Sequence, residues 1–308
     1  MKLIINASTL SGTGVTQVAV SFINECVNFT ENEFHVFMSR TVATQIKVKE
    51  FSSNFFFYLI ETHPIQGLRG FKIRRKLKKL EQKINPDCVF SVFGPSWWTP
   101  TCSHLMGYAY PHYVYPDSPL FNVLSVSEKT IVYFRKLVHK YYLKKNGKYY
   151  VCETEDVSKR LVDFLNVPIE NVFTVTNTCN NFFYKSDNVK GQILPEKSDN
   201  EFRFLVLCSF MRHKNIEILN SVIPMLKGKS DRKIKFILTA DNIVYVKKIA
   251  RGVMDSIINI GRIEIAQCPQ LYRECDALFL PTLLECFSAN YPEAMYMGKP
   301  ILTSNLPF

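Results

Sequence analysis

Short apolar runs alternate with amphipathic segments twice along this chain, and a polar stretch separates the two series. In the first series LIINAS, FHVFMS, FFFYLIE, DCVFSVFG, HLMGYAY, KYYVCET and VFTVTN read as strands, parted by polar or helical sequence. LIINAS, the loop over 9–14 and VTQVAVSFINECVNF form a strand, glycine turn and helix, the helix carrying apolar residues at three- and four-residue spacings. Strands of this kind belong in a parallel sheet covered on both faces. Over 177–201 the sequence turns polar and rich in Asn, Lys and Asp, without periodicity. The link between two domains is expected there, giving domains over 1–177 and 178–308. A second series follows: FRFLVLCSF, a helix NIEILNSVIPML, KIKFILTA, a helix across VYVKKIARGVM, IINIG, a helix CPQLYREC, DALFLPT, a helix after Pro292, and PILTS. Both halves read as doubly wound α/β domains.

Length and composition agree. A chain of 308 residues, 47% apolar, can bury two ordinary cores as a soluble globular protein. No uncharged apolar run approaches the roughly eighteen residues of a spanning helix, and the densest patch, FFFYLI at 55–60, is too short. The sequence opens on a strand rather than on the charged and apolar regions of a signal peptide, so a cytoplasmic protein is expected. Nine cysteines occur without a Cys-x-x-Cys pair and without a His cluster at zinc spacing. They read as reduced thiols, with no metal implied. The net charge of +11 favours phosphates, acidic polymers or anionic lipid, without choosing among them. Solenoid periods and low-complexity tracts are absent from the sequence.

Chemistry concentrates near the end, in ALFLPTLLECFSANYPEAMYMGKPILTSNLPF. Glu285 and Glu293 stand on either side of a short loop. Alone they would pass for solvated helix charges, but the context differs: the strand ends in Pro281, Phe287 follows Glu285, Pro292 sits where a first-turn proline is tolerated, and Gly298-Lys299-Pro300 closes the helix. A carboxylate at each end of such a turn can accept paired hydrogen bonds from vicinal sugar hydroxyls. Free amides near Ser288, Ala289 and Asn290 can hold a phosphate. The combination suits a nucleotide sugar. SFMRHKNIEIL brings Arg212, His213 and Lys214 to the carboxyl end of another strand, the ligand edge of an open sheet. There a cation either neutralises a diphosphate or forms a solvated basic turn.

The Glu285 segment resembles the signature of two glutamates spaced by seven residues in retaining glycosyltransferases of family 4. The resemblance spans nearly the whole chain and is strongest over 204–308. It implies the GT-B fold, two Rossmann-like domains with doubly wound parallel sheets facing a cleft. Members of the family extend further than this sequence past the strand matching ILTS, so the second domain reads as incomplete. Carried onto this sequence, the resemblance makes Glu285 the partner of donor-sugar hydroxyls and Glu293 that of the ribose hydroxyls. Lys214, before Asn215, matches the family's diphosphate-binding lysine. The family's arginine falls where this chain has Cys208-Ser209-Phe210, which leaves open whether Arg212 substitutes. Gly261, Arg262 and Ile263 lie where the family reads the base, or form an ordinary strand-end turn. Gly12 and Gly14 either face the donor or acceptor or are simply backbone economy. His112, in GYAYPHYVYPDSP, matches a family histidine over the donor sugar, against the alternative of a structural histidine.

The activity implied is transfer of a sugar from a UDP- or GDP-sugar to a lipid-linked or oligosaccharide acceptor in surface polysaccharide synthesis, with retention. No cofactor is expected, and no Asp-x-Asp motif occurs, in keeping with the family's metal-independent chemistry. A nucleotide-sugar epimerase of the same fold, or a non-catalytic protein binding nucleotide or anionic lipid, are the alternatives. Between residues 68 and 80 the chain is most basic. Phe71, Arg74, Arg75 and Lys78 share one face of a helix, while Ile73, Leu77 and Leu80 line another. Arg69, Lys72, Arg74, Arg75, Lys76, Lys78 and Lys79 then either coat a surface helix or adhere to anionic lipid at the inner face of the membrane. Nucleic acid is disfavoured, because no aromatic-basic recognition module accompanies the charge. Trp97 and Trp98 read equally as core or as part of an acceptor groove.

Overall fold

The computed structural model describes residues 1–184, 191–207 and 209–308; within the polar link 185–190 lie outside the described residues, as does Cys208. The chain forms two units. One comprises Met1–Pro116 with Ser125–Thr176, the other Asp117–Leu124 with Asn177–Phe308. Eight residues from the middle of the first half thus pack with the second.

In the first unit the strands are β1 (Lys2–Ala7), β2 (Glu33–Met38), β3 (Phe55–Leu59), β4 (Cys88–Ser91), β5 (Ser103–Gly107), β6 (Tyr149–Cys152) and β7 (Val172–Thr174). They form a parallel sheet in the order β3-β2-β1-β4-β5-β6-β7. Alternate residues of a strand point to opposite faces, and here both faces are apolar. Leu3, Ile5 and Ala7 pack on Ala19, Val20 and Ile23 of the helix Thr13–Glu25. Ile4 points the other way, towards Leu77 and Ile84 of the helix Gly67–Ile84 and towards Trp98. Trp97 and Trp98 are both buried, and the Trp98 indole donates to the buried Glu81 carboxylate at 3.0 Å. Both tryptophans are therefore part of the core.

The second unit repeats the plan with β8 (Glu201–Val206), β9 (Lys233–Leu238), β10 (Ile257–Asn259), β11 (Ala277–Leu280) and β12 (Ile301–Thr303), parallel in the order β10-β9-β8-β11-β12. Leu205, Ile237, Leu278 and Leu280 enter one core cluster, with Leu271 and Tyr272 of the helix Cys268–Arg273 and Ala294 of the helix Asn290–Tyr296. Val206, Phe236, Leu238 and Phe279 enter the other, with Leu219 and Ile223 of the helix Leu219–Leu226. These are the two covered faces that the apolar strands require.

Local outcomes differ from the expected helices at two places. NIEILNSVIPML begins as a 3-10 turn, Ile216–Ile218, before the α-helix. VYVKKIARGVM divides into the helix Asn242–Lys248 and a 3-10 segment Arg251–Ser256, with Gly252, a poor helix former, just past the break. The helix around Pro292 starts at Asn290, so the proline still falls among first-turn positions whose amides have no helical partner. Gly298, at φ 63°, supplies the left-handed residue just past the end of that helix.

The sheet of the first unit leaves no space at Gly107 on β5, where an added Cβ would lie 1.9 Å from the Val92 carbonyl oxygen. The obstacle is backbone, so it cannot swing aside. Gly107→Ala is expected to cost about 1–3 kcal/mol, the usual penalty for overpacking. Chemical denaturation should show the loss, and an unchanged midpoint would mean that β4 and β5 can separate.

Candidate functional site

Crossovers leave opposite ways on either side of the β8–β11 pair, so the helices that follow these two strands pack on opposite faces while the loops between lie side by side. In an open parallel sheet that switch point is where ligands bind. The described residues of the loop after β8 are 207 and 209–215, and the loop after β11 covers 281–289. They are joined to each other. The Leu283 amide donates to the His213 carbonyl at 2.6 Å, and the Asn290 side-chain amide donates to the Leu207 carbonyl at 2.7 Å. The Thr282 hydroxyl lies 2.9 Å from the His213 carbonyl and 3.0 Å from Glu285 Oε1. One hydroxyl carries one proton, so fully buried Thr282 divides it between these acceptors.

Lys214 ends a 3-10 turn, Arg212–Lys214, after which Asn215 takes a left-handed φ of 53°, a conformation asparagine tolerates. Lys214 Nζ forms a direct ion pair with Glu285 Oε1. The two side chains are only 17% and 11% exposed. A carboxylate so shielded needs a matched cation, and the turn supplies it. Phe287 is half-buried beside them in sequence and Ser288 is buried. Among the described residues none accepts a hydrogen bond from the backbone amides of Ser288, Ala289 or Asn290.

Glu293 occupies the first turn of the helix Asn290–Tyr296 and is half-buried. Burial raises its pKa from 4.5 to about 7; the Tyr272 hydroxyl, which donates to Oε2 at 3.2 Å, opposes the rise without cancelling it. Fully buried Tyr272 is held protonated by the same desolvation, followed by the nearby Glu293. Glu293 thus sits near its titration midpoint at neutral pH.

The remaining positions are more dispersed. Arg212 Nη1 donates to the Val123 carbonyl at 2.9 Å, tying down the segment Asp117–Leu124, whose Ser118 hydroxyl donates to the Leu283 carbonyl at 2.6 Å. Gly261 has a φ of 74°, Ile263 packs on a core cluster, and the Arg262 side chain is 85% exposed, 3.9 Å from Asp241. In the first unit Gly12 caps the helix Thr13–Glu25, and a Cβ on Gly14 would meet nothing within 4 Å. Internal packing therefore does not account for the glycine at 14. His112 lies in the turn Pro111–Val114, half-buried, its pKa lowered by burial and then by Arg135, so the imidazole is neutral at pH 7. Along the helix Gly67–Ile84, Arg69, Lys72, Arg75, Lys76, Lys78 and Lys79 are exposed, whereas Arg74 is half-buried and donates to the Tyr142 hydroxyl at 3.0 Å. Among the described residues no three His, Cys, Asp or Glu side chains converge as a metal site.

Residues 201–307 match the sequence family Glycosyl transferases group 1. That match lies within the second unit. The whole chain has the GT-B fold, its two parallel-sheet domains matching solved glycosyltransferases. A glycosyltransferase from Rickettsia africae is 14% identical with a TM-score of 0.70, covering 99% of this chain and 79% of that one. Anabaena HepE, solved with UDP and glucose, is 12% identical with a TM-score of 0.64, covering 99% and 81%. A UDP-GlcNAc 2-epimerase from Neisseria meningitidis, solved with UDP-GlcNAc, is 14% identical with a TM-score of 0.57, covering 98% and 82%. At these identities the likeness is one of fold. No curated protein matches the chain by sequence.

Three contributors to the geometry of this site were not singled out from the sequence. Thr282 had a faint signal, a hydroxyl three residues before Glu285 at a strand end. Tyr272 had none, since a tyrosine in CPQLYREC reads as ordinary helix, and nothing marks Ser118 as belonging with a segment 165 residues away.

Two measurements probe these contacts. Lys214→Met strands a shielded carboxylate and is expected to destabilise the protein by roughly 2–4 kcal/mol, with most of the loss recovered in Lys214→Met/Glu285→Gln. Additive losses in urea denaturation would show that the pair is not coupled. Because the pKa of Glu293 is raised on folding, the folded protein keeps this proton from pH 4.5 up to about 7 while the unfolded chain has released it. Stability therefore falls as pH rises through that window. The melting temperature of the ligand-free protein should decline accordingly, and Glu293→Gln should flatten the decline; an unaltered slope would assign it to other groups.

Proposed function

We propose that this protein transfers a sugar from a nucleotide-sugar donor to a lipid-linked or oligosaccharide acceptor, in the synthesis of a surface polysaccharide. The observation that carries this reading is the Lys214–Glu285 ion pair at the switch point of a domain matching the group 1 glycosyltransferases. Breaking the bond from the anomeric carbon to a diphosphate leaves negative charge on the leaving oxygens while the sugar turns cationic. Lys214 and the amides of Ser288, Ala289 and Asn290 meet the first charge, with Arg212 assisting, in place of a metal. Glu285 accepts hydrogen bonds from donor-sugar hydroxyls, and Glu293 from the ribose. Phe287 shapes the loop between them, and Gly261, Arg262 and Ile263 read the base through backbone groups.

On the first unit, Gly12 and Gly14 approach phosphate or acceptor, and His112 contacts donor sugar or acceptor. A neutral imidazole offers a lone pair rather than a second positive charge to a ring that is becoming cationic. The anomeric configuration is retained. UDP-sugars come first among candidate donors because Anabaena HepE was solved with UDP and UDP-glucose; GDP-sugars come next. A lipid-linked acceptor places the work at the inner face of the cell membrane, where the exposed cations of the helix Gly67–Ile84 meet anionic headgroups.

Thermal-shift measurements against UDP-, GDP- and ADP-sugars should single out a donor, since a ligand that binds only the native state raises apparent stability. With that donor and an acceptor, Glu285→Gln is expected to slow transfer about ten- to a hundredfold or more. Unchanged turnover would remove Glu285 from the site. The Neisseria epimerase likeness motivates one control: donor incubated alone, where epimerised sugar nucleotide without an acceptor would replace transfer as the activity.

A further inference from the structure

The helix Val126–Asn146 opens on a capping box in which Ser125 and Glu128 each serve the other's backbone amide, which fixes its start. It buries only a narrow face, His139, Leu143 and Asn146. Opposite lie Tyr133, Phe134, Leu137, Val138 and Tyr141, exposed to 58, 62, 47, 42 and 57%. At about 100° per residue these five share one arc of roughly 140°. A globular protein ordinarily turns its polar face outwards on such a helix, so an apolar arc in that position calls for a covering.

Charge indicates what covers it. After Glu128 the helix contains no acidic residue, and Lys129, Arg135, Lys144 and Lys145 are exposed along or beside the arc. The adjacent helix Gly67–Ile84 is joined to it by the bond from Arg74 to Tyr142, and adds an open groove of about 540 Å³ lined by Lys72, Arg75, Lys76, Lys79, Leu80 and Lys83. In the first turns of that helix Leu68 and Phe71 are 86% and 50% exposed. A second copy laid on this ridge would bring one cationic border against another, which disfavours self-association. Aromatic and aliphatic side chains bordered by lysines suit an anionic phospholipid surface, where rings enter the headgroup boundary and ammonium groups reach phosphates. No helix among the described residues is long and apolar enough to cross a membrane, so the contact is one of lying flat.

We propose that Val126–Asn146 is an interfacial docking helix that seats Phe134, Leu137 and their neighbours in an anionic bilayer, with Gly67–Ile84 as an electrostatic flank. This inference does not rest on the transferase reading. The test is flotation of the full chain with vesicles of phosphatidylcholine alone, or mixed with phosphatidylglycerol, using wild type and Phe134→Gln/Leu137→Gln. Both residues are exposed, and glutamine preserves helix propensity.

Wild type is expected to float with the mixed vesicles and not with phosphatidylcholine alone. The double variant should bind about tenfold more weakly or less, with an unchanged melting temperature. Equal flotation of the variant, or no flotation of wild type, overturns the proposal. So does light scattering in which wild type is a dimer and the variant a monomer, since the ridge would then be an interface between copies. A UDP-sugar thermal shift on the same samples separates the two proposals: its absence, with flotation as expected, counts only against the transferase.

Discussion

One carbonyl, that of His213, organises the site. It accepts the Leu283 amide and faces the Thr282 hydroxyl, so the loop that carries Lys214 and the loop that carries Glu285 are held at one mutual distance. The parallel sheet makes this possible. Because β8 and β11 are neighbours whose crossovers leave in opposite directions, their carboxyl ends are side by side and their loops are free to meet above the edge. A different strand order would leave the same residues on separate loops with nothing to pair them.

The pairing also determines what each charge is available to do. Lys214 and Glu285 neutralise each other, which keeps a largely shielded carboxylate from standing alone. In the proposed reaction a diphosphate competes with Glu285 for the lysine, while sugar hydroxyls compete with the lysine for Glu285. Binding in that reaction exchanges one ion pair for two sets of charge-assisted hydrogen bonds. Specificity follows, because a ligand with only the phosphate or only the sugar breaks the pair and repairs half of it.

Much of the fold was legible in the sequence, for reasons that separate what a sequence can display from what it cannot. Strands buried on both faces are continuously apolar, so the strands of both units stood out; Pro281, Pro292 and Gly298 punctuated the last strand-to-helix turn. Lys214 and Glu285 could be expected at strand ends because such ends are the ligand edge of an open sheet, and the structure carries them on the loops after β8 and β11. Arg212 shows the limit: its bond to Val123 depends on Asp117–Leu124 packing with the second unit, a long-range event without local periodicity. The helix Val126–Asn146 escaped attention for the opposite reason. Its packed face carries His139 and Asn146 beside Leu143 while its outer face is apolar, so the usual pattern of a surface helix is inverted.

Glu293 gives the clearest case of competing terms. A carboxylate in the first turn of a helix should be stabilised in its ionised form by the helix dipole, typically by 0.3–1 kcal/mol. Its pKa of about 7 instead of 4.5 corresponds to a net penalty on the charged form of roughly 3 kcal/mol, so desolvation outweighs both the dipole of a seven-residue helix and the Tyr272 bond. The ligand-free site therefore holds this carboxyl in a state that solvent does not relieve. In the proposed function, hydroxyl donors from a ribose would relieve it and favour the ionised form, which would link nucleotide binding to proton release. On that proposal, affinity for the donor rises as pH passes upward through about 7, where Glu293 becomes ionised.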